Sequence, residues 1–417
     1  MRKKILFITD DIFLSSGVGN ISLAIVKYLY SKYDFFIIGA RNKSPNHGEI
    51  IDFSEMFKND LGIDGSIKQI IYNSYGDVQL FNEVMEFENI DALLIMTDPR
   101  YHITLFENIN IFNKIPKFYY HVWDSDMTPF FNKPYLDSFD HIMSISEDTF
   151  NGVDKIFKGK KSNVYIPHGV NKDFFFPIDD VSVFKRNFGI DKYKYIIGFN
   201  SVNTQRKGIG ELLLAYKRYC NYYGSEDVLL FLHTQIIGDN NSNLRELIKG
   251  VMKSDEYNIL IVEDRWSVEL LNEFYNAIDV LVLPSTAEGF GLTISEAIMS
   301  GTMVICNSTG GMKDQLKGDL NFGDWGIPLY NSNTQILYDK AIPYITNKII
   351  DHKELSKALK IVNDISPEQR RERALIGRNW LINSKFEEKD MCKSIMKSID
   401  EGITNFSVPK NYTITKI

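Results

Sequence analysis

Two glutamates, Glu288 and Glu296, stand eight positions apart in the stretch PSTAEGFGLTISEAIMSGTMVICNSTGG, residues 284–311. A second polar group, Arg206 with Lys207, stands in NTQRKG, residues 203–208. Carboxylates accept hydrogen bonds from the hydroxyls of a sugar or a ribose, and paired cations neutralise phosphate. Gly289 and Gly291 let the backbone approach a ligand closely, and a helix expected from about Thr293 would point free N–H groups at an anion. Together these residue types suit a ligand that carries both a diphosphate and hydroxyls. The plainer alternatives are a strand–loop–helix with two surface glutamates, and two solvated cations at a helix start.

The surrounding elements must set these groups side by side. A chain of 417 residues exceeds one ordinary core, and domains of roughly 100–200 residues imply two. In the N-terminal half, KILFIT (4–9), DFFIIGA (34–40), KQIIYN (68–73), DALLIMTD (91–98), KFYYHVW (117–123) and DHIMSIS (140–146) read as strands. Helical spacing lies between them, at 21–33 and 79–90. Apolar runs bounded by turns and alternating with helices predict parallel strands covered on both faces. NVYIPHGVNKDFFFP, residues 163–177, breaks the pattern and reads as a link. A second alternation follows: YIIGFN (195–200), a helix at 209–223, VLLFLHT (228–234), NILIVE (258–263), a helix at 267–277, DVLVLP (279–284), a helix at 293–300 and MVICN (303–307). The expectation is an α/β chain of two Rossmann-like, doubly wound parallel-sheet domains facing a central cleft, 1–170 and 171–384. The charged helical tail, about 385–417, is expected to pack back on the first, with Trp380 and Phe386 as anchors.

Glu288 through Glu296, with the flanking PS, EGFGL, EA and GG, resembles the Glu-x7-Glu motif of retaining glycosyltransferases of family 4, the glycogen-synthase-like GT-B enzymes. The resemblance spans nearly the whole chain, but its specific motifs lie between 200 and 311. It implies that Glu288 contacts the donor sugar near the reacting centre and that Glu296 holds ribose hydroxyls. Phe290, Gly291, Leu292 and Thr293 would contact the diphosphate and sugar, largely through the backbone. Arg206 and Lys207 would take the leaving diphosphate, with Asn203 in the same loop. In the family's commoner arrangement the Arg lies several residues before the Lys-Gly, near Val202 here, so the resemblance implies the role for Lys207 directly and leaves it open for Arg206.

His121, at the end of its strand, resembles the family's histidine near the reacting sugar; a satisfied core histidine is the alternative. Gly17 and Gly19, in SSGVGNIS (15–22), serve either a tight strand-to-helix turn or a loop that approaches the donor phosphate or acceptor. Asp98, Pro99 and Arg100 occupy another strand end and by position alone would line the acceptor side. Asp124-Ser125-Asp126 mimics the DxD metal motif of the other glycosyltransferase fold, but is placed in the first domain, away from the donor signature, so no metal is expected. His168 and His233 read as structural, and Lys158, Lys160 and Lys161 as a solvated loop.

The net charge of −7 disfavours a whole-protein grip on nucleic acid. Cys220, Cys306 and Cys392 are scattered and odd in number, which suits a reducing compartment. The apolar run in MRKKILFITDD stops at Asp10, too short for a signal peptide, and no segment reaches the roughly 18 apolar residues of a membrane span. The expected location is cytoplasmic, with peripheral membrane contact left open. The resemblance thus implies transfer of a hexosyl or pentosyl group from a nucleotide diphosphate sugar, UDP- or GDP-linked, to an acceptor hydroxyl with retention and without a cofactor. The acceptor stays open among saccharide, lipid, protein and modified nucleic acid, including a DNA base, as does the oligomeric state. The rival readings are a non-catalytic sugar-nucleotide-binding subunit and a GT-B sugar-nucleotide epimerase.

Overall fold

A computed structural model describes residues 2–43, 45, 47–254, 256–316, 324–330, 332–338 and 343–408. The chain forms two compact units. The first comprises the chain up to Trp123, Thr128–Gly169 and the chain from Lys389 on; the second comprises Asp124–Met127 and Val170–Glu388.

The first unit is built on an eight-stranded sheet of β1 (Lys3–Asp10), β2 (Tyr33–Ala40), β3 (Ile50–Asp52), β4 (Ile67–Ile71), β5 (Ala92–Thr97), β6 (Lys117–His121), β7 (His141–Ser144) and β8 (Asn163–Tyr165). Their order is β3-β4-β2-β1-β5-β6-β7-β8, parallel except for the short antiparallel β3 at one edge. The central strands are apolar runs because helices cover both faces: every residue from Leu93 to Met96 is fully buried. The first helix runs Gly17–Leu29, capped by Ser16, earlier than the spacing at 21–33 predicts. Tyr33 instead opens β2, its side chain buried, so the helical period of the preceding residues runs on into a strand.

The second unit holds six parallel strands, β9 (Tyr195–Asn200), β10 (Val228–His233), β11 (Ile259–Val262), β12 (Val280–Leu283), β13 (Met303–Asn307) and β14 (Gly326–Leu329), ordered β11-β10-β9-β12-β13-β14. This is the doubly wound order, and strand order reverses between β9 and β12. A separate antiparallel hairpin, β15 (Ser332–Leu337) and β16 (Ile345–Ile350), was not legible as strands. Its first strand is exposed for most of its length and lacks the apolar run that marked the others.

The C-terminal helix spans Glu388–Asn405; of the expected stretch 385–417, residues 409–417 lie outside the described residues. Its part from Lys389 belongs to the first unit, where Asp400 pairs with Lys32 at 2.6 Å. Trp380 and Phe386 do not anchor it there. Their rings meet at a tilt, 5.6 Å apart, inside the second unit, where Phe386 stacks on Phe290 at 6.0 Å and Trp380 lies 5.4 Å from Trp325. Among the described residues no helix is long and apolar enough to cross a membrane.

Candidate functional site

The reversal of strand order brings two loops together. β9 ends at Asn200 and leads through the turn Gln205–Lys207 into the helix Ile209–Tyr223. β12 ends at Leu283 and leads through residues 284–291 into the helix Leu292–Met299. Since β9 and β12 are paired, the loops leave the sheet side by side, and Thr286 N donates to Arg206 O at 2.8 Å.

Glu288 sits where they meet, only 6% exposed. Its Oε1 accepts hydrogen bonds from Lys207 Nζ and, at 2.9 Å, from Ser285 Oγ. Its Oε2 lies 3.1 Å from Arg206 Nη1, which also donates to Ala287 O. Burial pushes the Glu288 carboxyl up, but the charges of Arg206 and Lys207 and the hydrogen bonds outweigh it and hold the pKa at about 2. Burial also lowers the Lys207 ammonium from the ordinary lysine value, against the pull of Glu288. Glu288, Lys207 and Arg206 are therefore one ion cluster, and Val202 is an exposed residue of the same loop with no charge to add.

The helix Leu292–Met299 opens beside this cluster. Its N-cap, Gly291, has φ +84° and no side chain to cap with, so the N–H groups of Leu292 and Thr293 are left to an outside acceptor. A Cβ on Gly291 would also lie 2.8 Å from Met312 Cγ, so this position requires glycine on two grounds. Phe290 is buried against Phe386, and its carbonyl accepts from Gln315 Nε2 at 2.7 Å. Gln315 also accepts from Ser295 Oγ at 2.7 Å and so ties the loop to the helix, a role nothing in its sequence context marked.

Glu296 sits one turn further into the helix and is held from behind. Tyr275 Oη donates to Glu296 Oε2 at 2.6 Å, and Asn200 Nδ2 donates to Tyr275 Oη at 2.7 Å. Asn200 Oδ1 lies 2.8 Å from His233 Nδ1, whose ring stacks on Trp266 with centroids 3.8 Å apart. Burial raises the Glu296 carboxyl to about 7, with the Tyr275 hydrogen bond acting the other way. Sequence reasoning missed this chain except for His233, which it took as structural. Polar residues closing apolar strands, Asn200 on β9 and His233 on β10, were the available signal.

The remaining candidates are more dispersed. Asn203 is buried, and its Nδ2 donates to Ile236 O at 3.2 Å, so its side chain fastens two loops together. Gly17 and Gly19 lie in the first turn of their helix rather than in the loop before it. Gly19 N donates to Ser16 Oγ at 2.9 Å, and a Cβ there would sit 2.4 Å from Leu14 O. His121 closes β6, 1% exposed, and among the described residues neither ring nitrogen has a partner. Burial lowers its pKa to about 3, so the ring is neutral. On the adjacent β5, Thr97 has φ +103°, uncommon for a β-branched residue, and Asp98 clasps Arg100 at 2.7 and 2.6 Å through the two oxygens. His168 Nδ1 meets Tyr120 Oη at 2.9 Å, and Lys161 pairs with Asp137.

Asp124-Ser125-Asp126 is not remote from the donor signature, as its position in the chain suggested. Ser125 Oγ donates to Thr346 O at 3.0 Å, and Asp126 accepts from Thr346 Oγ1 at 2.5 Å and lies 3.4 Å from Lys348 Nζ. Those contacts with β16 draw the segment into the second unit and set Asp124 Oδ2 3.7 Å from Arg206 Nη1.

The family described as "Glycosyl transferases group 1" matches residues 180–321. An uncharacterised glycosyltransferase of Methanocaldococcus jannaschii is 26% identical over 202 residues, which are 46% of this chain and 49% of that protein. The chain thus spans about half the length of that curated relative. Among solved structures, sucrose-phosphate synthase of Thermosynechococcus elongatus matches with a TM-score of 0.72 at 16% identity, over 96% of this chain and 99% of that one. HepE of Anabaena, solved with UDP and glucose, matches with a TM-score of 0.65 at 14% identity, over 96% and 100%. At such identities the likeness is one of fold. The family match thus falls on residues 180–321, which carry Arg206, Lys207, Glu288 and Glu296, and the chain has the α/β fold of two parallel-sheet units found in these GT-B structures.

Proposed function

We propose that the chain is a glycosyltransferase that moves a sugar from a UDP-sugar to an acceptor hydroxyl with retention of anomeric configuration. The observation that carries this is the meeting of Lys207, Arg206 and Glu288 beside the uncapped N-terminus of the helix Leu292–Met299. A diphosphate takes the place of Glu288 as partner of the two cations and accepts from the N–H groups of Leu292 and Thr293. Glu296 accepts from the ribose hydroxyls, and Glu288, once released, faces the sugar. His121 offers an unspent ring nitrogen to a sugar hydroxyl, and the first unit selects the acceptor.

In the transfer, the bond from the anomeric carbon to the phosphate oxygen breaks and a bond to the acceptor oxygen forms on the same face. The acceptor's proton passes to the leaving phosphate. The charge that develops on the diphosphate is met by Lys207, Arg206 and the helix N-terminus, which are in place beforehand. UDP as the nucleotide is supported by HepE, which was solved with UDP bound. Incubation with UDP-, GDP-, ADP- and dTDP-sugars, following nucleotide release and the anomeric proton of the product by NMR, tests the reading. Release of UDP with an unchanged anomer is expected; an inverted product removes the retaining step, and an epimerised donor without an acceptor replaces transfer with epimerisation.

A further inference from the structure

The first unit has a cavity of its own off the carboxyl ends of β1, β2 and β4, the end of the sheet at which ligands of open α/β folds bind. Its volume is about 910 Å³, within the range of small-molecule sites, and Asp11, Phe13, Arg41, Asn42, Lys43 and Asn73 line it. Behind it, the fully buried Asp10 accepts from Tyr75 Oη, from Ser16 Oγ at 2.8 Å, and from Arg41 Nη1 at 3.3 Å. Arg41 itself has φ +62°, a conformation a non-glycine residue seldom adopts, and this turn brings its head back over the strand ends.

The charged groups still open in the cavity are of one sign, beside the exposed neutral amide of Asn73. Asp11 is buried and both its oxygens are engaged, Oδ1 by Phe13 N at 2.8 Å and Oδ2 by Asn42 Nδ2 at 2.6 Å. Among the described residues no partner takes the Lys43 ammonium, or Nε and Nη2 of Arg41, and the Arg41 side chain is 54% exposed. The free charged groups are thus cationic donors, which an anion satisfies more strongly than a neutral polyol does. Phe13, 47% exposed and backed by Phe53 at 4.7 Å, supplies a flat apolar surface beside them.

We propose that this cavity binds a saccharide bearing an anionic group, phosphate or carboxylate, with the anion on Arg41 and Lys43 and the sugar ring against Phe13. Resting on the glycosyl-transfer reading, this saccharide is the acceptor. Calorimetric titration of the full chain with glucose 6-phosphate, glucuronate and glucose, with UDP titrated separately, tests it. One or both anionic sugars bind at least about tenfold more tightly than glucose, and whichever binds better names the anion. Arg41→Gln and Lys43→Gln each abolish most of that preference and leave UDP binding unchanged. Lys43→Gln covers the case in which Arg41→Gln unfolds the chain around Asp10. Equal binding of all three sugars, no binding of either anion, or a preference that survives both substitutions overturns the proposal. Loss of UDP binding in the unaltered protein with glucose 6-phosphate still bound would overturn the transfer reading and leave the anion site standing.

Discussion

Tyr275 Oη donates to Glu296 Oε2 over 2.6 Å, joining the helix Val268–Ala277 to the one that begins at the anion site. That bond fixes one carboxylate oxygen and leaves the other for a ligand. It also helps the ionised form, since a donor to a carboxylate lowers its pKa, whereas burial works the other way and brings Glu296 to about 7.

Donor affinity should therefore depend on pH near neutrality. A ribose hydroxyl donates more strongly to the carboxylate than to its protonated form, so the dissociation constant of UDP rises as pH falls through about 7. Tyr275→Phe removes the one interaction that favours the charge and moves the midpoint to higher pH. Titrations of UDP across pH 5.5–9 with both proteins check this; a midpoint that stays put in Tyr275→Phe contradicts the role of the bond.

The same shift costs stability. The folded pKa of Glu296 lies above its ordinary value, so the unfolded chain loses this proton first, and stability falls as pH rises from about 4.5 to about 7. Glu296 retains some contact with solvent, which reduces the effect to about 1–3 kcal/mol at alkaline pH. Glu296→Gln should thus be more stable than the unaltered chain at high pH and nearly equal to it at low pH, while binding UDP worse. Denaturant unfolding at the two extremes of pH reads the difference.

Glu288→Gln should separate binding from turnover. The cations that Glu288 holds, Lys207 and Arg206, are the ones the diphosphate needs, so neutralising Glu288 frees them. UDP is expected to bind up to about tenfold more tightly, the worth of one charge-assisted hydrogen bond. Sugar transfer is expected to fall by about 10²–10³, the usual loss for a group aimed at developing charge. Parallel calorimetry and rate measurements decide; weaker UDP binding would mean that Glu288 orders the loop rather than competing with the ligand.

The parallel sheets were legible because buried strands are written as unbroken apolar runs, and β12 (VLVL) announced the loop that follows it. Lys207 and Glu288 were legible as polar residues in the loops that follow β9 and β12, and Glu296, inside the helix Leu292–Met299, through its spacing of eight from Glu288 and the resemblance that spacing carries. Tyr275 was not, because an aromatic within a helix of apolar spacing looks like packing, and only the fold shows that its hydroxyl reaches a residue 21 positions on. Asp124 was misplaced because chain position suggested the first unit, whereas hydrogen bonds from Thr346, far along the chain, decide where it sits.

The central claim is that Lys207 and its neighbours form a diphosphate site, and the dissociation constant of UDP, measured by calorimetry for the unaltered chain and for Lys207→Met, tests it most directly. Lys207→Met keeps the length of the buried stem and removes only the charge. The account predicts saturable UDP binding that weakens by at least about tenfold in the variant. Equal affinity in both proteins, or no binding of UDP or any other nucleoside diphosphate by the folded chain, would contradict it.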